Sequence, residues 1–159
     1  MQTYTYDEAL AQSKEYFGNG LSTNVFCDKY ALRNDADEII EPTPEFMHRR
    51  IAKELARVEK GKFDKPYTED EIFEYLDHFG KIIPQGSPMY AIGNKYKYAS
   101  LSNCFVLESP EDSYGGIMNT DQQLVQISKR RGGCGISLDK LRPSGSPTKN
   151  SSRTSTGII

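Results

Sequence analysis

Ala99-Ser100-Leu101-Ser102-Asn103-Cys104-Phe105-Val106-Leu107-Glu108 opens the stretch of sequence that decides the fold. It reads as a buried strand, a short apolar run rich in aromatic and branched residues. Asp112 or Ser113 can then cap a helix running from about Tyr114 to Arg131. Lys129-Arg130-Arg131 suits the negative end of that helix, and Gly132-Gly133 stops it. Cys134-Gly135-Ile136-Ser137-Leu138 reads as a second strand. Strand, helix, strand is a βαβ unit, and it predicts a parallel sheet.

Two parallel strands leave open edges and need further strands and helices to cover them. The tail over 143–159 is polar, then turns apolar at Gly157-Ile158-Ile159. We therefore expect a sheet that is unfinished here and continues elsewhere. The fold class is α/β.

The segment before the strand reads as helical. Tyr6 to Phe17 places Ala9, Leu10, Tyr16 and Phe17 on roughly one side, with Gly18-Asn19-Gly20 as the stop. At Thr43-Pro44-Glu45, Thr43 can cap, Pro44 suits the first helical position and Glu45 favours the positive end of the dipole. Met47, Ile51, Leu55 and Val58 follow at helical spacing until Gly61. Thr68 and Glu71 form a capping box ahead of Ile72, Phe73, Leu76 and Phe79, with Gly80 as the stop. Lys81-Ile82-Ile83-Pro84 and the turn Gln85-Gly86-Ser87-Pro88 mark a change of character. The expected division is a helical region over 1–84 and an α/β region over 85–159.

Composition permits a core but not a large one. Of 159 residues, 36% are hydrophobic and 13 are glycine, near the usual apolar share of roughly 45–50%. Mean hydropathy is −0.64. There is no tryptophan, but there are 10 tyrosines. The net charge of −2 is mixed along the chain, which argues against a nucleic-acid stripe. No apolar run approaches the roughly 18 residues of a membrane span, and the N-terminus does not read as a signal peptide. Cytoplasm is the expected location. The cysteines are Cys27, Cys104 and Cys134, widely spaced and far from His48 and His78, so neither zinc nor a disulfide framework is expected.

Three features could carry chemistry, and each has a plainer reading. Cys104 lies in an apolar strand, where cysteine is usually a small buried hydrophobe. A redox role needs a second thiol within reach. Lys129-Arg130-Arg131-Gly132-Gly133-Cys134-Gly135 could hold an anion, with glycines letting backbone approach it. Basic residues at a helix end with a glycine stop are the plainer explanation. Arg142-Pro143-Ser144-Gly145-Ser146-Pro147-Thr148-Lys149-Asn150 offers cations and hydroxyls to a phosphate, or forms a solvated linker.

Taken together, the order and spacing of these features resemble the large, catalytic subunit of ribonucleotide reductase, in its N-terminal portion. The resemblance rests on Gly86-Ser87-Pro88-Met89, Ser100 to Val106, Asp112-Ser113-Tyr114, Lys129 to Gly135, Leu141 to Pro147 and Thr154-Ser155-Thr156-Gly157. Lys29-Tyr30-Ala31-Leu32 and Thr43 to Arg50 also resemble that family's N-terminal helical region.

The resemblance implies the first part of a ten-stranded α/β barrel. It implies reduction of ribonucleotides to deoxyribonucleotides, in which a thiyl radical removes the ribose 3′ hydrogen and a cysteine pair supplies the reducing equivalents. Cys104 matches the first cysteine of that pair. Neither Cys27 nor Cys134 matches the second, and the radical cysteine belongs to a later loop. Ser87, Asn103, Cys104 and Gly133 match substrate contacts. Asp112, Ser113, Tyr114, Arg142 and Lys149 match the site for a deoxynucleotide or ATP effector.

No metal or other cofactor is expected on this segment. The radical would come from a metal-bearing small subunit or from adenosylcobalamin. Thioredoxin or glutaredoxin would be the reductant, and the C-terminal part of the catalytic subunit a required partner. The N-terminal ATP-binding module of some relatives is expected to be missing. The chain is expected to be one piece of the enzyme: an excised segment, a truncated frame or half of a split subunit. It is inactive alone under this reading. The alternatives are a non-catalytic nucleotide-binding module and an inert remnant.

Overall fold

The computed structural model describes residues 2–18 and 20–157. Asn19 in the Gly18-Asn19-Gly20 stop, and Ile158 and Ile159 in the apolar ending, lie outside the described residues. The chain forms two compact units, Met1–Leu101 and Ser102–Ile159.

The first unit is helical: α1 (Tyr6–Phe17), α2 (Gly20–Lys29), α3 (Pro44–Lys60), α4 (Glu69–Leu76) and α5 (Gly86–Ala91). α1 packs on α2, and α3 on α4. Ala9, Phe26, Cys27, Ile39, Met47, Ile51, Ala52, Phe73 and Leu76 bury together between them. Because α5 belongs to this unit, the division falls after Leu101 and not at the expected residue 84. The physical reason is Arg50 on α3. Its guanidinium donates to the Met89 carbonyl at 2.9 Å and to the Ile92 carbonyl, tying the chain around α5 to α3.

The helix ends follow capping chemistry. Thr68 Oγ1 accepts from the Glu71 amide at 3.2 Å, and Glu71 reaches back to the Thr68 amide at 2.8 Å, as expected. Thr5 and Glu8 build the same box on α1. Thr43 stands at the N-cap of α3, but its side chain makes no capping bond. Gly18 ends α1 with φ 68, the left-handed cap that glycine adopts freely.

Gly80 is not the stop expected for α4. The helix ends at Leu76, and Asp77–Phe79 forms one 3-10 turn in which His78 and Phe79 have φ 51 and 54. Left-handed backbone at two such residues costs about 1–3 kcal/mol each and persists only where packing imposes it. Phe79 stacks on Phe17 at 6.4 Å and meets the edge of His48 at 4.7 Å. His48 is fully buried, with neither ring nitrogen hydrogen-bonded among the described residues.

The second unit holds β1 (Cys104–Leu107), α6 (Tyr114–Ser128) and β2 (Gly133–Ile136). The strands pair in parallel, Cys104 with Gly133 through Leu107 with Ile136. The βαβ reading therefore holds, although both strands are shorter than expected. The expectation of a buried strand does not hold. Exposure alternates along β1 and β2, and Val106 is 92% exposed. A two-stranded sheet with one helix can cover only one of its faces. Phe105, Leu107, Cys134 and Ile136 share the half-buried face; Cys104, Val106, Gly133 and Gly135 share the open one.

Candidate functional site

The open sheet face brings together two of the expected substrate positions. Strand register sets Cys104 beside Gly133, and the Gly133 amide donates to the Asn103 carbonyl at 2.7 Å. Cys104 is exposed, which overturns its reading as a small buried hydrophobe. An exposed thiol next to a residue without a side chain gives a ligand access to both sulfur and backbone. The Asn103 carbonyl accepts the Gly133 amide, so a ligand contact to that oxygen would have to share it.

Cys134 sits one register step away, beside Phe105 on the other face. Cys27 is buried in the helical unit, where desolvation raises its thiol pKa. Cys134 does not share a face with Cys104. Ser87 is buried in α5 of the helical unit, and Gly86 before it stands where a Cβ would be 2.8 Å from the Tyr30 hydroxyl.

Of the expected effector residues, Asp112, Ser113, Tyr114 and Arg142 gather at the start of α6. Ser113 is its N-cap, with the hydroxyl accepting from the Gly116 amide at 3.0 Å. Gly116 allows this tight entry, since a Cβ there would lie 2.5 Å from the Glu111 carbonyl oxygen. Arg142 lies 30 residues after Asp112 in sequence, and its Nε donates to Asp112 Oδ2 at 2.6 Å. The Arg142 amide donates to Oδ1 at 3.2 Å. Tyr114 and Lys149 are exposed.

The loop after Arg142 is not a free linker. The Arg142 guanidinium donates to the Pro147 carbonyl at 3.4 Å, and Pro147 bridges Thr154 in antiparallel fashion. Backbone bonds from Thr148 to Arg153, Gly145 to Ser155 and Ser155 to Ser146 close the turn. Lys149 lies at the tip of this folded loop.

The glycine segment before β2 is explained by helix termination. Arg131, with φ 68, is the left-handed residue, and its amide donates to the Ser128 carbonyl at 3.0 Å. The Gly132 amide donates to the Ile127 carbonyl at 3.2 Å, completing the Schellman pair. Arg130 bonds back to the Gln126 carbonyl at 2.7 Å. Gly132 is required by close approach instead: a Cβ there would stand 2.5 Å from Ile127 and 2.7 Å from Phe105.

Among the described residues no group of three or more His, Cys, Asp and Glu gathers as a metal site. Among the described residues no helix is long and apolar enough to cross a membrane.

A helical unit is followed by a βαβ unit whose open sheet face carries a thiol. Residues 16–96 match the family model described as ribonucleotide reductase, all-alpha domain, and residues 102–159 match the ribonucleotide reductase barrel domain. The two matches meet where the structure divides. A ribonucleoside-diphosphate reductase large chain of Neurospora crassa is 39% identical over 154 residues, covering 97% of this chain and 15% of that protein. The large subunit of Trypanosoma brucei brucei is 37% identical over 150 residues, 91% of this chain and 16% of that one. That of Caenorhabditis elegans is 42% identical over 59 residues, 37% of this chain and 8% of its own length. The chain belongs to the ribonucleotide reductase large-subunit family. It spans only a small part of the length of these relatives.

Proposed function

We propose that this chain supplies the helical entry and the first βαβ unit of a ribonucleoside-diphosphate reductase catalytic subunit, with Cys104 as one of two reducing thiols. The observation that carries the reading is the exposure of Cys104 beside Gly133 on an uncovered sheet face. In the proposed reaction a thiyl radical from another segment removes the ribose 3′ hydrogen. The 2′ hydroxyl leaves as water. Cys104 and a second thiol together deliver two electrons and two protons and join as a disulfide, and the 3′ hydrogen is returned. A dithiol such as thioredoxin or glutaredoxin then resets the disulfide by exchange.

Ser87, Asn103 and Gly133 are the proposed substrate contacts in this scheme, and the radical source lies outside this segment. Asp112, Ser113, Tyr114, Arg142 and Lys149 are proposed to hold the deoxynucleotide or ATP effector that selects the base. The pairing of Asp112 with Arg142 and the folded loop ending at Lys149 support a built site there. The barrel is proposed to have ten strands.

The second reading is a nucleotide-binding module without turnover of its own. It is favoured for the isolated chain because Cys134 lies on the other face of the sheet from Cys104 and Cys27 is buried in the helical unit. Co-expression with the C-terminal part of a related subunit and its radical source separates the two. Restored reduction of cytidine diphosphate that Cys104→Ser abolishes is expected. Nucleotide binding without turnover would leave the module.

A further inference from the structure

The helical unit contains a cavity of about 710 Å³ that the proposed reductase chemistry does not use. Its floor is one face of α3, where Arg50, Lys53, Arg57 and Lys60 recur at steps of three and four residues. Its walls come from Pro66 to Glu69 and from Gly93 to Tyr96.

The lining charge is not balanced. Glu41 is bound by Arg50 at 2.8 and 3.1 Å, and Glu54 by Arg57 at 2.9 and 2.6 Å. That leaves Lys53, Lys60 and Lys95 against the carboxylate of Glu69, with Lys95 also feeling the charge of Glu54. Lys53, Lys60 and Lys95 form no ion pair with another described residue. The lining also carries two aromatic rings, Tyr67 and Tyr96.

The floor is fixed in place. The Arg50–Glu41 pair is about one-tenth exposed on each side. Gly93, with φ +71, lets the wall come down on it, since a Cβ there would meet Arg50 Cγ at 2.9 Å. Tyr67 is held by its amide, which donates to Glu59 at 3.2 Å, and by an edge contact with Tyr75 at 6.2 Å.

We propose that this cavity is a second ligand site, separate from the effector residues around α6, and that it takes a phosphate ester bearing an aromatic ring, the chemistry of a nucleotide. Its volume lies within the roughly 300–1,000 Å³ typical of small-molecule sites. The lysines offer compact charges to phosphate oxygens, and the tyrosines add aromatic rings to the lining. This site does not depend on the reductase reading, because none of its residues belongs to the proposed thiol or effector groups.

The test is a backbone-amide NMR titration of the full chain with ATP and, separately, with inorganic pyrophosphate. ATP is expected to shift amides at Lys53, Arg57, Lys60, Tyr67, Lys95 and Tyr96. Pyrophosphate, lacking the ring, should bind roughly tenfold more weakly. Lys53→Glu and Lys95→Glu, both at exposed positions, should each weaken ATP at this cavity roughly tenfold or more, the loss of one charge-assisted contact. Their circular dichroism and melting should match the parent chain. Should either fold poorly, Lys60→Gln replaces it with the same expectation. Arg142→Ala should leave the cavity shifts unchanged while removing any shift around 112–149. Shifts confined to 112–149, no shifts at all, or pyrophosphate binding as tightly as ATP would each overturn the proposal. Failure at 112–149 with cavity shifts intact would count against the effector assignment alone.

Discussion

Asp112 and Arg142 hold each other across 30 residues of sequence, through a 2.6 Å contact from Nε to Oδ2 and a 3.2 Å bond from the Arg142 amide to Oδ1. The pair joins the start of α6 to the loop that follows β2. Under the proposed effector role, the carboxylate and a phosphate compete for one guanidinium.

Both side chains are more than a third exposed, so the pair contributes little to global stability, about 1 kcal/mol or less. Its effect should be local. Asp112→Asn is expected to leave the melting transition nearly unchanged and to speed amide exchange over 143–157. Unchanged exchange there would show that the turn bonds from Gly145 to Ser155 hold the loop without the clamp.

The three thiols should differ sharply in reactivity. Cys104 is exposed, Cys134 half-buried and Cys27 buried, with its pKa raised first of all by desolvation. Alkylation by iodoacetamide, followed by mass spectrometry, is expected to modify Cys104 first and Cys27 only when the helical unit opens. Rapid labelling of Cys27 would mean that the core around Ala9, Phe26 and Met47 is open in solution.

His48 should make the helical unit acid-sensitive. Burial pushes its pKa down to about 4; Asp77 opposes this, and His78 adds to it. The folded value lies below the unfolded one. The stability present at neutral pH is therefore retained above pH 6.5 and lost as pH falls toward 4. A difference of that size is worth roughly 3 kcal/mol when fully expressed. His48→Leu removes two unpartnered nitrogens and should flatten the denaturation profile between pH 6.5 and 4. An unchanged slope in that variant would assign the acid sensitivity to carboxylates.

How much of this was legible in the sequence depended on whether the cause was local. The Thr68–Glu71 capping box and the βαβ order are set by residues within one turn or one element, and Thr68, Glu71 and Ser113 announce them, whereas the equally local Thr5–Glu8 box was missed. α2 was not legible. Gly20, Ser22, Thr23 and Asn24 are weak helix formers, and the burial of Thr23, Phe26 and Cys27 sustains it. Left-handed His78 and Phe79 were equally hidden, because the packing of Phe79 on Phe17 and His48 imposes them. The expected site residues fared in the same way. Cys104 and Gly133 follow from strand register, but the Asp112–Arg142 clamp depends on a loop whose folding no periodicity shows.

Gly132 and Gly133 look alike in sequence, and the structure gives them opposite roles. A Cβ on Gly132 would press on Ile127 and Phe105 at 2.5 and 2.7 Å, both within the packing of α6 on the sheet. Gly132→Ala should therefore cost about 1–3 kcal/mol, as an overpacked contact does. A Cβ on Gly133 would meet only the Asn103 carbonyl at 3.4 Å, an ordinary contact on an exposed position. Gly133→Ala should change stability by about 0.5 kcal/mol or less. Under the proposed function it should still hinder a nucleotide approaching Cys104, because the methyl would stand on the open face. Urea denaturation of the two variants side by side checks the first contrast. Equal losses would mean that α6 does not close on β1 as tightly as the Ile127–Phe105 contact requires.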